Sequence, residues 1–182
     1  MNVYDFDKTI YDGDASLDFW KFSIKKQPTL IRYLPYQIFS AVLFKIRILN
    51  RKQFKEHFFI FLKSMHSLDL TRFWDQNQDK IKTWYFNQKK PNDLIISASP
   101  EFILKEITKR LQVKLISTKM NQRTGKIIGE NCRGEEKVKR FRELYKDQQI
   151  DQFYSDSESD MPLKKLAVIA YLVKKNQITD WK

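Results

Sequence analysis

"VYDFDKTI", Val3 to Ile10, places two aspartates two residues apart directly after an apolar pair. Asn2 to Asp5 reads as a short strand. A carboxylate pair at the end of a buried strand is costly unless something compensates it. The fold therefore follows from where the compensating groups lie. They are found by working outward along the chain.

"DGDAS" (Asp12 to Ser16) predicts a turn and a helix N-cap. From Leu17 to about Asn87 the pattern is helical, divided early by Pro28 and Pro35, with "LDLTRF" (Leu68 to Phe73) as a helix restart. "LIISAS" (Leu94 to Ser99) is a continuous apolar run and predicts a buried strand. Ser99 is placed to cap a helix beginning at Pro100 and running to about Leu111. "VKLIST" (Val113 to Thr118) is strand-like, and "RTGKIIGENC" (Arg123 to Cys132) resembles a small hairpin around Gly125. "GEEKVKRFRELYK" (Gly134 to Lys146) is a helix with two acids in its first turn, where the helix dipole favours them. "QFYSD" (Gln152 to Asp156) is a strand, "DMPLKKL" starts a short helix, and "AVIAYLV" (Ala167 to Val173) is a further strand. One strand, a helical block, then alternating strands and helices imply an α/β fold. Its centre is a Rossmann-like parallel sheet, with an all-helical cap inserted after the first strand. The expected boundaries are 1–13 and 89–182 for the core and 14–88 for the cap.

Ligands in such sheets bind at the carboxyl ends of the strands. Asp5, Asp7, Ser97 and Asp156 each fall at or just past the end of an apolar run. The pattern thus gathers three carboxylates and a hydroxyl at one sheet edge. Taken alone, each has an ordinary reading: Asp5 and Asp7 as a turn pair, Ser97 and Ser99 as cap and turn residues, "DSESD" as a solvated acidic loop, Lys137 as a surface lysine near Glu136 or Glu143.

Taken in order, the segments resemble the haloacid dehalogenase (HAD) superfamily. "DFDKT" resembles its first motif, "LIISAS" its second, "NCRGEEKV" its third and "SDSESDMPL" its fourth. The position of the helical block resembles subfamily IB, the phosphoserine-phosphatase-like group. "SASP", "NCRGEEKV" and "DMPL" are most similar to a branch that includes phosphatidylglycerophosphatase C. The resemblance implies a magnesium-dependent phosphatase acting through an aspartyl-phosphate. Asp5 is the implied nucleophile and Asp7 the acid/base. Mg2+ is held by Asp5, the Asp7 backbone carbonyl and Asp156, with Asp160 supporting it or binding through water. Ser97 bonds a phosphoryl oxygen. Lys137 is the favoured phosphate-binding cation and Arg133 the alternative. Thr9 is expected to hold the loop backbone.

Composition bounds the remainder. The chain has 182 residues, 42% hydrophobic, with 4 glycines and a formal net charge of +12. The length suits one domain, or a compact domain with an inserted subdomain. The single cysteine, Cys132, excludes an intrachain disulfide and a Cys-rich zinc site. It is expected to be buried and inert. With no signal peptide visible, the expected setting is cytoplasmic. The positive charge favours anionic partners: phosphorylated small molecules or lipids, nucleic acid, or an anionic membrane surface. No signature of a nucleic-acid fold is present, so nucleic acid is not expected. Between Lys21 and Lys63 the only acid is Glu56. "YLPYQIFSAVLF" (Tyr33 to Phe44) carries no charge and is too short to span a bilayer, which needs roughly 20 apolar residues. It is either cap core or, flanked by Arg32, Lys45, Arg47, Arg51 and Lys52, an interfacial surface. The competing functions are a phosphatase for a soluble metabolite such as phosphoserine, and a non-catalytic basic module binding membrane or nucleic acid.

Overall fold

The computed structural model describes residues 1–181. Its centre is a six-stranded sheet in the order β3-β2-β1-β4-β5-β6. The strands are β1 (Val3–Tyr4), β2 (Leu94–Pro100), β3 (Lys114–Thr118), β4 (Ile150–Ser155), β5 (Ala167–Lys174) and β6 (Gln177–Asp180). β1 to β5 run parallel, and β6 turns back antiparallel on β5. β6 was not expected. It is short, polar and exposed along its length, so it carries no apolar periodicity.

β1 is only two residues long yet lies at the sheet's centre, with Val3 opposite Leu94 and Phe153, and Tyr4 opposite Ile95 and Tyr154. Alternation along the strands sends these side chains to opposite faces. Val3, Leu94, Ile96 and Phe153 join one buried cluster, whereas Tyr4, Ile95 and Tyr154 join the other. On the second face Tyr4 stacks on Tyr154 at 4.9 Å and Tyr154 on Tyr171 at 4.8 Å, tying β1, β4 and β5 by their rings.

Five helices lie between β1 and β2: α1 (Ala15–Lys26), α2 (Leu34–Lys45), α3 (Arg51–Phe58), α4 (Leu70–Asp75) and α5 (Thr83–Gln88). α6 (Glu101–Leu111) follows β2, α7 (Glu135–Tyr145) precedes β4, and α8 (Met161–Lys164) precedes β5. α1 and α4 share the core of the sheet's second face. Phe19 packs edge-on against Phe102 at 5.8 Å, and the buried Trp74 indole donates to the Ile103 carbonyl at 2.7 Å. α2 and α3 pack on each other through a flat Phe44–Phe54 stack at 4.8 Å, and α3 carries residues to the carboxyl ends of the strands. No helix among the described residues is long and apolar enough to cross a membrane.

Two local expectations are corrected. Ser99 does not cap the helix after β2. Pro100 is still paired in the strand, α6 starts at Glu101, and no side chain caps it. The segment around Gly125 is a turn closed by a single Met120–Ile127 bridge rather than a hairpin of strands. Its contacts are to α3 instead: the Glu56 carboxylate accepts from the Ile127 amide at 2.9 Å, and Lys52 Nζ pairs with Glu130 at 3.0 Å.

Candidate active site

A cavity of about 520 Å3 opens at the carboxyl ends of β1, β2 and β4, walled on its outer side by Arg51, Phe54, Lys55 and Phe58 of α3. Asp5, Asp7, Lys137, Asp156 and Asp160 all line it. Asp5 and Asp7 reach it because the chain leaves the strand at once. Lys8 takes a left-handed φ of 59°, and its amide bonds back to the Gly13 carbonyl at 3.0 Å.

Lys137 is buried and donates to Asp5 Oδ1 and Asp160 Oδ2, both at 2.7 Å. Burial pulls its ammonium down, but the two carboxylates outweigh burial and hold it above its ordinary range. Burial lifts Asp5 to about 7, with Lys137 pulling the other way. The second Asp5 oxygen makes no hydrogen bond among the described residues. Burial and the nearby Asp14 charge lift Asp7 to about 6, opposed by the Ala15 amide and the Ser99 hydroxyl, both of which donate to its carboxylate at 2.6 Å. A carboxyl poised near neutrality can give and take a proton within one cycle.

Asp160 lines the cavity in a supporting position. Its Oδ2 accepts from Lys137 at 2.7 Å and from the Ser155 hydroxyl at 2.8 Å, so it holds the lysine. Thr9 is corrected. Its buried hydroxyl finds no hydrogen-bond partner, and the loop is held by the Ile10 and Tyr11 amides on the Phe6 carbonyl. Ser97 is fully buried at the end of β2 and accepts from the Ser99 amide at 3.0 Å. Its neighbours Ala98 and Ser99 line the cavity, and Ser97 itself does not. Arg133 lines the cavity away from the Asp5–Lys137–Asp160 chain of contacts.

Asp156 is partly buried, with no side-chain hydrogen bond or ion pair among the described residues, and burial lifts its carboxyl above the ordinary range. The Asp156 carboxylate and the free oxygen of Asp5 line the same cavity and together make a hard-oxygen donor set. It suits Mg2+, which commonly takes one or two carboxylates and completes its shell with water and phosphate. No cluster of three His, Cys or carboxylate side chains at metal-binding distance occurs among the described residues, and such a shell does not require one.

Lys55 and Ser99 were missed in the sequence. Lys55 Nζ donates to the Ala98 carbonyl at 2.6 Å and to Asn131 Oδ1 at 2.7 Å, joining α3 to the carboxyl end of β2 and to the loop before α7. The signal was present in "RKQFKEHF": Arg51, Phe54, Lys55 and Phe58 recur at helical spacing and so share one face.

A mostly parallel sheet carries paired aspartates after its first strand, a buried lysine on the first of them and a further aspartate after β4. The chain belongs to the haloacid dehalogenase-like hydrolases, whose family model matches residues 3–165. No curated protein matches it. Among solved structures it is similar to a protein of unknown function from Bordetella pertussis Tohama I, with TM-score 0.68 and 18% identity over 91% of this chain and 85% of that one. It also resembles a phosphoserine phosphohydrolase-like protein from Francisella tularensis subsp. tularensis SCHU S4, with TM-score 0.57 and 12% identity over 93% and 86%. A third, a phospho-aspartyl intermediate analogue of phosphoserine phosphatase, gives TM-score 0.55 and 14% identity over 92% and 83%.

Proposed function

We propose that this chain is a magnesium-dependent phosphatase that hydrolyses a phosphate monoester through an aspartyl-phosphate, with residues 14–88 as its cap. The carrying observation is the Lys137 contact. One Asp5 oxygen is held at 2.7 Å by a cation while the other is left to the cavity. That is the arrangement a carboxylate nucleophile needs toward an anionic ester.

In this reading the free Asp5 oxygen attacks phosphorus and the bond to the leaving oxygen breaks. Asp7 gives that oxygen its proton. Water then enters, Asp7 takes a proton from it, and the Asp5–phosphorus bond breaks to release inorganic phosphate. The Ser99 hydroxyl and Ala15 amide keep the Asp7 carboxyl aimed across the cavity. Asp5, Asp156 and the Asp7 backbone carbonyl would hold Mg2+, which would supply charge compensation between nucleophile and phosphoryl group. Ser97, which accepts the Ser99 amide, would hold the segment that brings Ala98 and Ser99 to the cavity rather than reach the phosphoryl oxygens itself. The fold neighbour that is a phospho-aspartyl intermediate analogue of phosphoserine phosphatase supports this chemistry.

The favoured substrate is a lipid phosphate such as phosphatidylglycerophosphate, reached from the cytoplasmic side of an anionic membrane. The exposed apolar surface of α2 and the loop after it (Ile38, Phe39, Val42, Ile46 and Ile48) supports it, since basic residues surround that surface. A soluble phosphate such as phosphoserine is the second reading, favoured by the fold neighbours. A purely binding module would leave the buried Asp5–Lys137–Asp160 contacts without use.

Turnover of p-nitrophenyl phosphate with magnesium, reduced about a thousandfold or more by Asp5→Asn, is the expected result. An Asp5→Asn protein as active as the parent would overturn the proposed nucleophile.

A further inference from the structure

We infer that Lys82, at the returning end of the helical insert, is a positioning residue for proton transfer by Asp7. It holds the backbone turn that carries Asp7 into the cavity, and it does so from outside, since Lys82 does not line the cavity. The inference rests on the phosphatase reading and adds to it a residue that acts through Asp7 alone.

The chain turns at Lys8, directly after Asp7. A residue other than glycine stays at a φ of 59° only when its surroundings fix it there. The Gly13 carbonyl fixes the Lys8 amide. Lys82 fixes the Lys8 carbonyl, to which its Nζ donates at 2.7 Å. The same ammonium donates to the carbonyl of Lys175, in the turn between β5 and β6, where φ is 55°. One cation thus closes two left-handed turns, one beside Asp7 and one at the tip of the β5–β6 hairpin. Lysine is seldom buried, because an ammonium out of water needs acceptors. Lys82 is only 6% exposed, makes no ion pair among the described residues, and gives its protons to main-chain carbonyls.

The backbone around Lys82 is tied to the same loop. The Lys82 amide donates to the Ile10 carbonyl and the Asp12 amide to the Lys80 carbonyl, both at 2.8 Å, and Tyr11 makes an antiparallel bridge with Ile81. Residues 80–82, where the chain returns from the insert, therefore pair with residues 10–12, where it departs. Lys82 stands at this join and reaches from it to Lys8. The Ala15 amide and the Ser99 hydroxyl fix the Asp7 carboxylate itself. They act on the end of a side chain whose backbone is placed by the turn at Lys8. Misplacing a reacting group by about 1 Å can cost about a hundredfold in rate, so a support at this distance from the chemistry still governs it.

The test uses the full chain with magnesium and two esters of similar shape, phenyl phosphate and p-nitrophenyl phosphate. Phenoxide is the more basic leaving group and needs the Asp7 proton, whereas p-nitrophenoxide departs without it. The ratio of kcat/KM for the two esters reads the step in which the leaving group is lost. Lys82→Met keeps the aliphatic stem and removes the donors. It should lower kcat/KM for phenyl phosphate about tenfold or more relative to p-nitrophenyl phosphate. Lys82→Arg, which keeps the charge and the N–H donors, should fall between the parent and Lys82→Met. An equal fall for both esters would mean that Lys82 supports the fold in general, or acts through the charge of the nearby Asp156. That result, or kinetics unchanged for both, overturns the assignment and leaves the phosphatase reading standing. A parent protein that hydrolyses neither ester overturns both. Lys82→Gln, which keeps a polar end without the reach of the ammonium, repeats the comparison if the methionine variant is poorly folded.

Discussion

Lys137 sets the energetics of the site at the scale of one side chain. Removing it leaves Asp5 and Asp160 facing each other, buried and uncompensated, which costs far more than a surface ion pair returns. Lys137→Met is expected to lower stability by about 3–5 kcal/mol and to abolish turnover, read from the urea midpoint and from aryl phosphate hydrolysis. Lys55 makes a different prediction. Burial lowers it from the ordinary 10.5 to about 8, so between these values the folded chain binds fewer protons than the unfolded one. Its contribution is present above 10.5 and lost as pH falls through 8. Wild type should therefore gain stability relative to Lys55→Met as pH rises from about 8 to about 10, which urea unfolding across that range will show. Asp5, Asp7 and Lys137 were legible because a fixed motif surrounds each. Lys55 was less so, since its partners, the Ala98 carbonyl and Asn131, lie far from it in sequence. Ser99 was misread because a serine before proline at a helix start has two uses, and only the approach of Asp7 selects between them.

Among the elements, the loop between β3 and α7 depends on α3 more than on itself. Gly125 has a φ of +73°, and a Cβ there would lie 2.4 Å from the Phe59 carbonyl oxygen, in the 3-10 turn that continues α3. Backbone cannot yield as a flexible side chain can. Gly125→Ala is expected to cost about 1–3 kcal/mol and to weaken turnover as well, because the same loop carries Asn131 and Arg133 to the cavity. Thermal melts and aryl phosphate kinetics on one preparation check both effects. The turn at Gly125 was legible in the sequence and its partner was not: a glycine marks a close approach without naming what approaches. The strands show the complementary lesson. β1, β2 and β4 are apolar on both faces and announce themselves, whereas β6 is held by pairing to β5 and has no face to bury.

For the molecule as a whole, charge and apolar exposure fall in the same stretch of chain. Phe39 is 60% exposed and Ile48 64%, in a stretch whose bases greatly outnumber its one acid. On the lipid reading, the chain should sediment with vesicles rich in phosphatidylglycerol at low salt, release as salt screens the attraction, and bind less as Phe39→Glu. Absence of binding to such vesicles at low salt would remove the membrane from the reading. The alternation of strands and helices and the motif sequence together made the core visible from the residues. The insert was visible only as helix, since nothing in local periodicity says that α1 and α4 join the sheet's core while α3 faces the cavity.

The two-residue strand β1 has one more consequence. It occupies the middle of the sheet, yet its neighbours are made about ninety and about 150 residues later, Val3 pairing with Leu94 and Phe153. During synthesis this apolar segment leaves the ribosome long before either neighbour exists. The sheet can close around it only when β4 has emerged, so Asp5 is translated well before the strands that flank β1 and is set in place only after them.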